Sequence, residues 1–214
     1  MNVVHPWNVR EEDKIADKWR WAYGYLTNRG IDLTSDFYRR PSSSTSLESQ
    51  TEKLVKFSKC KRNWVTLLCE SPTYMRTLFG YTMTSFVFST KERAIVVDAD
   101  DLIECVESVN GDLRDLVEYV DLLMICHVAP DHVQFKWKRS AVANILQRRK
   151  MRKLATFLEI FTPAIANPLP DKARVSSTMS MIDSFGAHVY ELFTGGRSKN
   201  VIVRHKKEKG NGVS

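Results

Sequence analysis

Two groups of residues in this sequence have the chemistry of a binding surface, and the first is a set of cations. Lys and Arg outnumber Asp and Glu by 32 to 25, and the excess gathers between Lys136 and Lys153 and in the C-terminal tail. Clustered cations bind polyanions by releasing counterions from phosphate, and an interleaved tryptophan can stack on a base. The sequence therefore predicts contact with single-stranded DNA or another polyanion through Lys136, Trp137, Lys138, Arg139, Arg148, Arg149, Lys150, Arg152 and Lys153. The alternative is a solvated helix face whose last cations offset the helix dipole.

The second group is a set of aromatic residues near the N-terminus. Between residues 11 and 28, apolar side chains recur at steps of three and four residues and Gly30 follows, which predicts an amphipathic helix. Large rigid rings concentrate interface energy, so this helix is a candidate partner-binding element. The aromatic residues concerned are Trp7, Trp19, Trp21, Tyr23 and Tyr25. The alternative is that the helix packs onto the main domain.

Several classes of site are not predicted. The four cysteines, Cys60, Cys69, Cys105 and Cys126, lack CxxC or Cys/His ligand spacing and are interpreted as buried free thiols, so we expect no metal and no cofactor. No stretch of about 20 apolar residues is present to span a bilayer, and the N-terminus has no signal-peptide pattern. We therefore expect a cytoplasmic protein without a membrane segment.

The 214 residues, of which 43% are hydrophobic, predict one α/β domain with short appended segments. The expected division is a helical N-terminal extension (1–40), a polar linker (41–46), the α/β domain (47–205) and a flexible basic tail (206–214). A helix is predicted at 45–59. Apolar runs then predict strands at 64–69, 94–97, 122–126 and 156–161, with helices between them at 74–89, 99–109, 112–120 and 135–149. A helix at 176–185 and a strand pair, 187–193 and 200–205, are predicted to follow. This alternation favours a mainly parallel sheet flanked by helices.

Residues 120–160 read VDLLMICHVAPDHVQFKWKRSAVANILQRRKMRKLATFLEI, an apolar strand, a long helix, a pair of arginines and a second apolar strand. This segment resembles the central part of the bacterial replicative helicase loaders of the DnaC type and of the related transposase-helper ATPases. The order of elements extends the resemblance over about 47–203. The resemblance implies an AAA+-like fold with a P-loop sheet, which in that family holds ATP.

The resemblance also implies where the nucleotide-site residues would stand, and most of them differ in type from the family pattern. A phosphate loop needs glycines whose backbone N–H groups wrap the phosphates, then a Lys and a Ser or Thr. Here only Arg76 and Thr77 are similar to that pattern. Two acids are expected after the third strand and a polar sensor on the fourth. The departing or degenerate positions are Glu70, Thr73, Met75, Arg76, Thr77, Cys126, His127 and Phe161.

These differences predict a pseudo-ATPase without catalytic residues, and the stretch flanked by Ser180 and Ser184 shows no arginine finger. The expected function is that of an accessory or regulator of DNA replication or recombination. It would bind a replicative helicase, an active loader or another replication protein. A DNA-binding accessory protein using helix 136–153 and the tail is one alternative, and a divergent weak ATPase using Arg76 and Thr77 is another. Without ATP between subunits, we expect a monomer or weak dimer.

Overall fold

The structure is a computed structural model that describes residues 45–60, 63–90, 92–105, 111–129, 136–162, 170–195 and 198–203. The predicted N-terminal extension, almost all of the linker and the basic tail lie outside the described residues. Within them, no helix has both the length and the apolar character needed to cross a membrane.

The described residues form one five-stranded sheet with helices on both faces. The helices are α1 (Thr45–Ser58), α2 (Pro72–Thr90), α3 (Ala99–Cys105), α4 (Gly111–Tyr119), α5 (Lys136–Met151), α6 (Pro170–Phe185) and α7 (Ala187–Thr194). The strands are β1 (Trp64–Cys69), β2 (Ala94–Asp98), β3 (Leu122–Val128), β4 (Ala155–Phe161) and β5 (Ser198–Val203). The strand order is β2-β3-β4-β1-β5, and every neighbouring pair is parallel. The predicted parallel α/β sheet is confirmed.

The strand pair predicted for the last third is wrong in its first half. Residues 187–194 form helix α7, on which Val189 and Phe193, four residues apart, are both fully buried. Gly186 separates α6 from α7 at φ 89°, a left-handed conformation that glycine adopts without strain. Because β5 is parallel to β1 and follows a helix, residues 187–193 and 200–205 do not form a pair of strands.

Strand β1 shows how the sheet divides the core. Successive side chains of a strand point to opposite faces. Trp64 and Leu68 pack with residues of α3 to α7, whereas Val65, Leu67 and Cys69 pack with α1 and α2. Both faces of β1 are buried, which explains why this strand appears in the sequence as a continuous apolar run.

The prediction that all four cysteines are buried is wrong for Cys60, which follows the end of α1 outside any apolar run and is exposed.

A fully buried guanidinium, that of Arg149 in the last turn of α5, joins the amino ends of two strands to α4. It donates to the carbonyl oxygens of Val117 and Val120 at 2.8 Å each, to that of Ala155 at 2.7 Å and to Thr156 Oγ1 at 3.1 Å. The last carbonyls of a helix have no partner within the helix, and Arg149 provides one for α4. Burial lowers the pKa of Arg149 to about 9, which leaves the group charged at neutral pH.

Two further arginines of the same region pair with one carboxylate. Arg148 and Arg152 donate to the Glu118 carboxylate at 3.1 and 2.7 Å. Burial opposes the charge of Glu118, but the hydrogen bond from Arg152 and the neighbouring Arg148 hold its pKa below the ordinary value. These arginines therefore attach α5 to α4.

Helix α5 ends in a Schellman motif that has lysine where glycine is usual. Lys153 N–H donates to the Lys150 carbonyl and Leu154 N–H to the Arg149 carbonyl, both at 3.1 Å. Lys153 adopts φ 60°, which costs an L-residue about 1–2 kcal/mol relative to a right-handed conformation. The Asn63 amide holds this turn by donating to the Lys153 carbonyl at 2.8 Å.

We predict that Arg149→Met strongly destabilises the fold. The substitution keeps most of the side-chain volume but leaves several buried carbonyls without a donor, at about 1–3 kcal/mol each. The free energy of unfolding, measured by urea denaturation, should fall by about 3 kcal/mol or more. Arg148→Met, the same change at a side chain that is 51% exposed, is the control and should lower it by less than about 1 kcal/mol. Equal losses in the two variants would contradict the structural role of Arg149.

Candidate functional site

The carboxyl ends of the parallel strands meet at one edge of the sheet, where open α/β folds bind ligands. In this chain, Glu70 and Ser71 follow β1, and Asp98 ends β2. His127 lies near the end of β3, and Glu159 lies near the end of β4. These residues define what we call the carboxyl-edge cluster, together with Arg76 from α2.

The connection between β1 and α2 contains only Glu70 and Ser71. Ser71 is the N-cap of α2: its hydroxyl accepts the Tyr74 N–H at 3.3 Å, and its carbonyl accepts the Met75 N–H at 3.1 Å. Pro72 occupies the first helical position, where its missing N–H is harmless. The helix therefore begins at the place where a phosphate-binding loop would need several residues with free N–H groups.

Residues 72–77, part of the segment expected to form the loop, are thus helical. Met75 is fully buried against the sheet, and the Thr77 hydroxyl donates to the Thr73 carbonyl at 3.1 Å within the helix. Neither side chain is positioned to hold a nucleotide or its magnesium ion. Because the N–H groups of Tyr74 and Met75 are engaged by Ser71 and Pro72 has none, these residues do not fit a magnesium nucleotide.

His127 forms a β-bulge in β3. Ile125 pairs with Leu158 and Val128 with Ile160, so β3 has one more residue than β4 over this interval. His127 takes up the extra residue at φ 57°, and its backbone N–H donates to Glu159 Oε2 at 2.6 Å. The carboxylate of Glu159 therefore replaces the carbonyl that the interrupted ladder no longer supplies.

The His127 side chain lies between two charged groups. Its Nδ1 is 2.6 Å from Asp98 Oδ1 and 3.4 Å from Arg76 Nη2, and the Arg76 and Asp98 atoms are themselves 3.6 Å apart. His127 Nε2 is buried and has no hydrogen-bond partner within the described part of the chain. An imidazole oriented by a carboxylate resembles a general base, but here its second nitrogen meets no nucleophile.

The electrostatics of the cluster favour protonated groups. The hydrogen bond to Asp98 raises the pKa of His127, although burial acts in the opposite direction. Burial raises the pKa of the fully enclosed Glu159 carboxyl, and the His127 N–H offsets this only in part. The cluster thus neutralises its own charges internally.

Two residues of this cluster, Asp98 and Glu159, were not predicted from the sequence. Both are acids inside or at the end of apolar strand segments, which was the available signal. Of the expected positions, Cys126 is buried in the core on the α1–α2 face, and Phe161 is half-buried at the end of β4. Across the described residues, no group of three or more His, Cys, Asp or Glu side chains is arranged to hold a metal ion.

Comparison with known proteins gives a result at the level of structure. No protein-family model matches this sequence, and no curated protein matches it significantly. The DnaC helicase loader superimposes with a TM-score of 0.53 at 12% identity, over 79% of this chain and 95% of that one. A putative primosome component from Streptococcus pyogenes serotype M3 gives 0.51 at 13% identity, over 94% of this chain and 100% of that one. AMPPCP-bound DnaA from Aquifex aeolicus gives 0.54 at 14% identity, over 76% of this chain and 48% of that one.

The chain has the AAA+-like fold of these replication proteins. The predicted resemblance to helicase loaders is confirmed for the fold. The DnaA structure is AMPPCP-bound. In the present chain, the carboxyl edge is occupied by the side chains of Arg76, Asp98 and His127.

Helix α6 is fixed to the same edge by two serines. Ser180 Oγ donates to the Val128 carbonyl at 3.2 Å, and Ser184 Oγ donates to the Ala129 carbonyl. The residues that flank the expected arginine-finger stretch therefore bind the end of β3, just after the bulge.

The predicted nucleic-acid-binding residues have different positions in the structure. The side chains of Lys136, Trp137 and Lys138, and all of the aromatic residues named near the N-terminus, lie outside the described residues. Arg149 is enclosed and cannot reach a ligand, which corrects its inclusion, and Arg148 and Arg152 pair with Glu118. Arg139 is half-buried on α5. Lys150 and Lys153 line a cavity at the opposite edge of the sheet.

We predict that Asp98→Asn lowers the pKa of His127. The substitution removes the largest influence that raises this pKa, and the opposing effect of burial stays. NMR titration of the His127 ring, assigned with His127→Gln, should show the downward shift, while Asp115→Asn on the exposed part of α4 should leave the ring unchanged.

The same pKa shifts give a pH dependence of stability. The folded-state pKa of His127 lies above its ordinary 6.5 and that of Glu159 above its ordinary 4.5. Each group therefore contributes stability at low pH that is lost as the pH rises through its folded-state value. The wild type should lose more stability than Asp98→Asn between about pH 6 and about pH 8. A wild-type stability that rises over this range would contradict the assignment.

Proposed function

We propose that this chain is a non-hydrolysing relative of the helicase-loader ATPases, which regulates DNA replication or recombination by binding a protein partner. The observation that carries the proposal is the two-residue connection between β1 and α2. A phosphate loop requires a series of unpaired backbone N–H groups between strand and helix. In this chain, Ser71 and Pro72 begin the helix at once, and the N–H groups of Tyr74 and Met75 donate to Ser71.

The charges at this edge support the same proposal. By the resemblance, Arg76 stands where a lysine would contact the terminal phosphates, yet its guanidinium lies 3.6 Å from the Asp98 carboxylate. A nucleotide would therefore have to displace an internal ion pair and place its phosphates near Asp98 and Glu159. The fold does not need the ligand, because the core on both faces is closed by apolar side chains.

The partner part of the proposal rests on the fold and on the sequence. The similar structures are named as a helicase loader, a primosome component and DnaA, all of which have the same fold as this chain. We propose a replicative helicase or an active loader as the partner, with the aromatic segment near the N-terminus as the contact. The second candidate is a DNA-binding accessory protein. The observation in its favour is that Lys150 and Lys153 line the same cavity, since clustered cations bind the phosphates of DNA.

The nucleotide part is tested by titration of a fluorescent ATP analogue with magnesium, beside an ATP-hydrolysis assay. We expect no turnover and no saturable binding at this edge up to about 1 mM, the upper end of usual substrate affinities. An active helicase loader is the positive control. Hydrolysis that disappears in Arg76→Ala would overturn the proposal in favour of a divergent ATPase.

The partner part is tested separately with the purified replicative helicase and active loader of the same host. The chain should co-elute with one of them in size-exclusion chromatography and should change the rate of helicase loading on single-stranded DNA. Deletion of residues 1–40 should abolish both effects, whereas deletion of the tail 206–214 is the control and should not. If neither protein forms a complex while the chain binds DNA in a salt-sensitive manner, the DNA-binding alternative is favoured.

A further inference from the structure

The amino edge of the sheet, opposite the carboxyl-edge cluster, contains a cavity of about 790 Å³. Its volume is within the range of about 300–1,000 Å³ that is usual for small-ligand sites. The cavity lies between the end of α1, the start of β1 and the end of α5. Its lining residues are Ser58, Lys59, Cys60, Asn63, Trp64, Lys150 and Lys153, and we call it the amino-edge groove.

Three of the seven lining residues are lysines, and none of the seven has a carboxylate. Lys59 Nζ donates to the Ser89 hydroxyl at 3.3 Å, and Lys150 Nζ donates to the Leu192 carbonyl at 2.7 Å. The lysines come from positions about 90 residues apart in the sequence, and the fold brings them to one concave surface. Such a concentration of positive charge attracts anions.

Helix dipoles offset only part of this charge. Helices α1 and α5 both end at the groove, and the C-terminus of a helix is equivalent to roughly −0.5 charge. Lys59 and Lys150 also contact the last turns of α2 and α7, at Ser89 and Leu192. Four such ends give roughly −2 against the three lysines, which leaves roughly one positive charge. Neutralisation of the helix ends therefore does not account for all three lysines.

The backbone of Lys153 is an independent sign that its side chain has a role. Lys153 occupies the left-handed position of the Schellman motif, where glycine would be less strained. Strained non-glycine residues persist where the surrounding structure holds them, and they concentrate at functional sites. Here the side chain of Asn63, which also lines the groove, donates a hydrogen bond to the Lys153 carbonyl.

The chemistry of the groove suits phosphate rather than a base. Trp64 is 1% exposed, its indole N–H donates to the Leu154 carbonyl, and Lys150 Nζ lies 4.3 Å from the ring centroid. Its ring is therefore closed to stacking. A ligand would meet ammonium groups and the Asn63 side chain, which favour oxyanions.

We propose that the amino-edge groove is a phosphate-binding site. The phosphate groups come from one of two sources: a free polyphosphate, or the backbone of a nucleic acid. The site is separate from the carboxyl edge, so it does not depend on the loss of ATP hydrolysis, and either conclusion can fail without the other.

Cys60 gives a direct readout of occupancy. It lies in the groove and is exposed, whereas Cys69, Cys105 and Cys126 are buried. The rate of Cys60 alkylation by iodoacetamide should therefore fall when a ligand fills the groove. The probes are inorganic pyrophosphate and a thymidine oligonucleotide of about 20 nucleotides, each compared with sodium chloride at equal ionic strength.

Lys153→Gly is the decisive variant because it separates binding from folding. It removes one charge and relieves the left-handed strain, so the unfolding temperature should stay the same or rise. The affinity for phosphate should weaken roughly fivefold. For the oligonucleotide, the slope of the logarithm of the binding constant against the logarithm of the salt concentration should become less steep by roughly 0.7. Lys172→Ala, which removes an exposed lysine on α6, is the charge-matched control and should change neither quantity.

The outcomes distinguish the sources and the structural alternative. If both probes protect Cys60, the groove binds phosphate and a small polyphosphate is a sufficient ligand. If only the oligonucleotide protects Cys60, the groove binds phosphate and its ligand is a nucleic-acid backbone. If neither probe slows alkylation at low salt, or if Lys153→Gly lowers stability and leaves affinity unchanged, the lysines serve only the helix ends and the proposal is overturned.

Discussion

The buried guanidinium of Arg149 is the interaction on which the amino edge of the sheet depends. It supplies donors to the last carbonyls of α4, to the approach to β3 and to the start of β4, each of which would otherwise be buried without a partner at about 1–3 kcal/mol. Because the side chain belongs to the last turn of α5, it also fixes where that helix ends. The position of the Schellman turn, and with it that of Lys150 and Lys153, follows from this one buried charge.

The opposite edge is organised by a different constraint, the extra residue in β3. A bulge leaves a backbone N–H without its ladder acceptor, and here the buried carboxylate of Glu159 provides one. The hydrogen bond to Asp98 raises the pKa of His127, the negative charge of Glu159 acts in the same direction, and the nearby Arg76 acts against both. The contacts among Glu159, His127, Asp98 and Arg76 thus explain one another, and they occupy the carboxyl edge of the sheet.

The strands were predictable because parallel strands buried on both faces are continuous apolar runs, and five of the six predicted strands are present in the sheet. The strand predicted at 187–193 failed, because an apolar segment of that length fits a buried helix as well as a strand. Asp98 and Glu159 were missed, since their meeting depends on a bulge and a strand register that no local pattern encodes. Arg149 could not be distinguished from Arg148 in the sequence. Adjacent residues of a helix point about 100° apart, and only the packing decides which of the two arginines is enclosed.

Two non-glycine residues among those described have positive φ angles, His127 at 57° and Lys153 at 60°. Each costs about 1–2 kcal/mol in backbone energy. A glycine would adopt the same φ angle at either position with less strain. They lie at opposite edges of the same sheet, one in the polar cluster and the other in the lysine groove. Places where a sequence departs from local preference are expected at functional or strained sites. His127 is explained by the contacts its ring and N–H make inside the protein, whereas Lys153 lines the amino-edge groove, which supports the phosphate-binding role proposed for that groove.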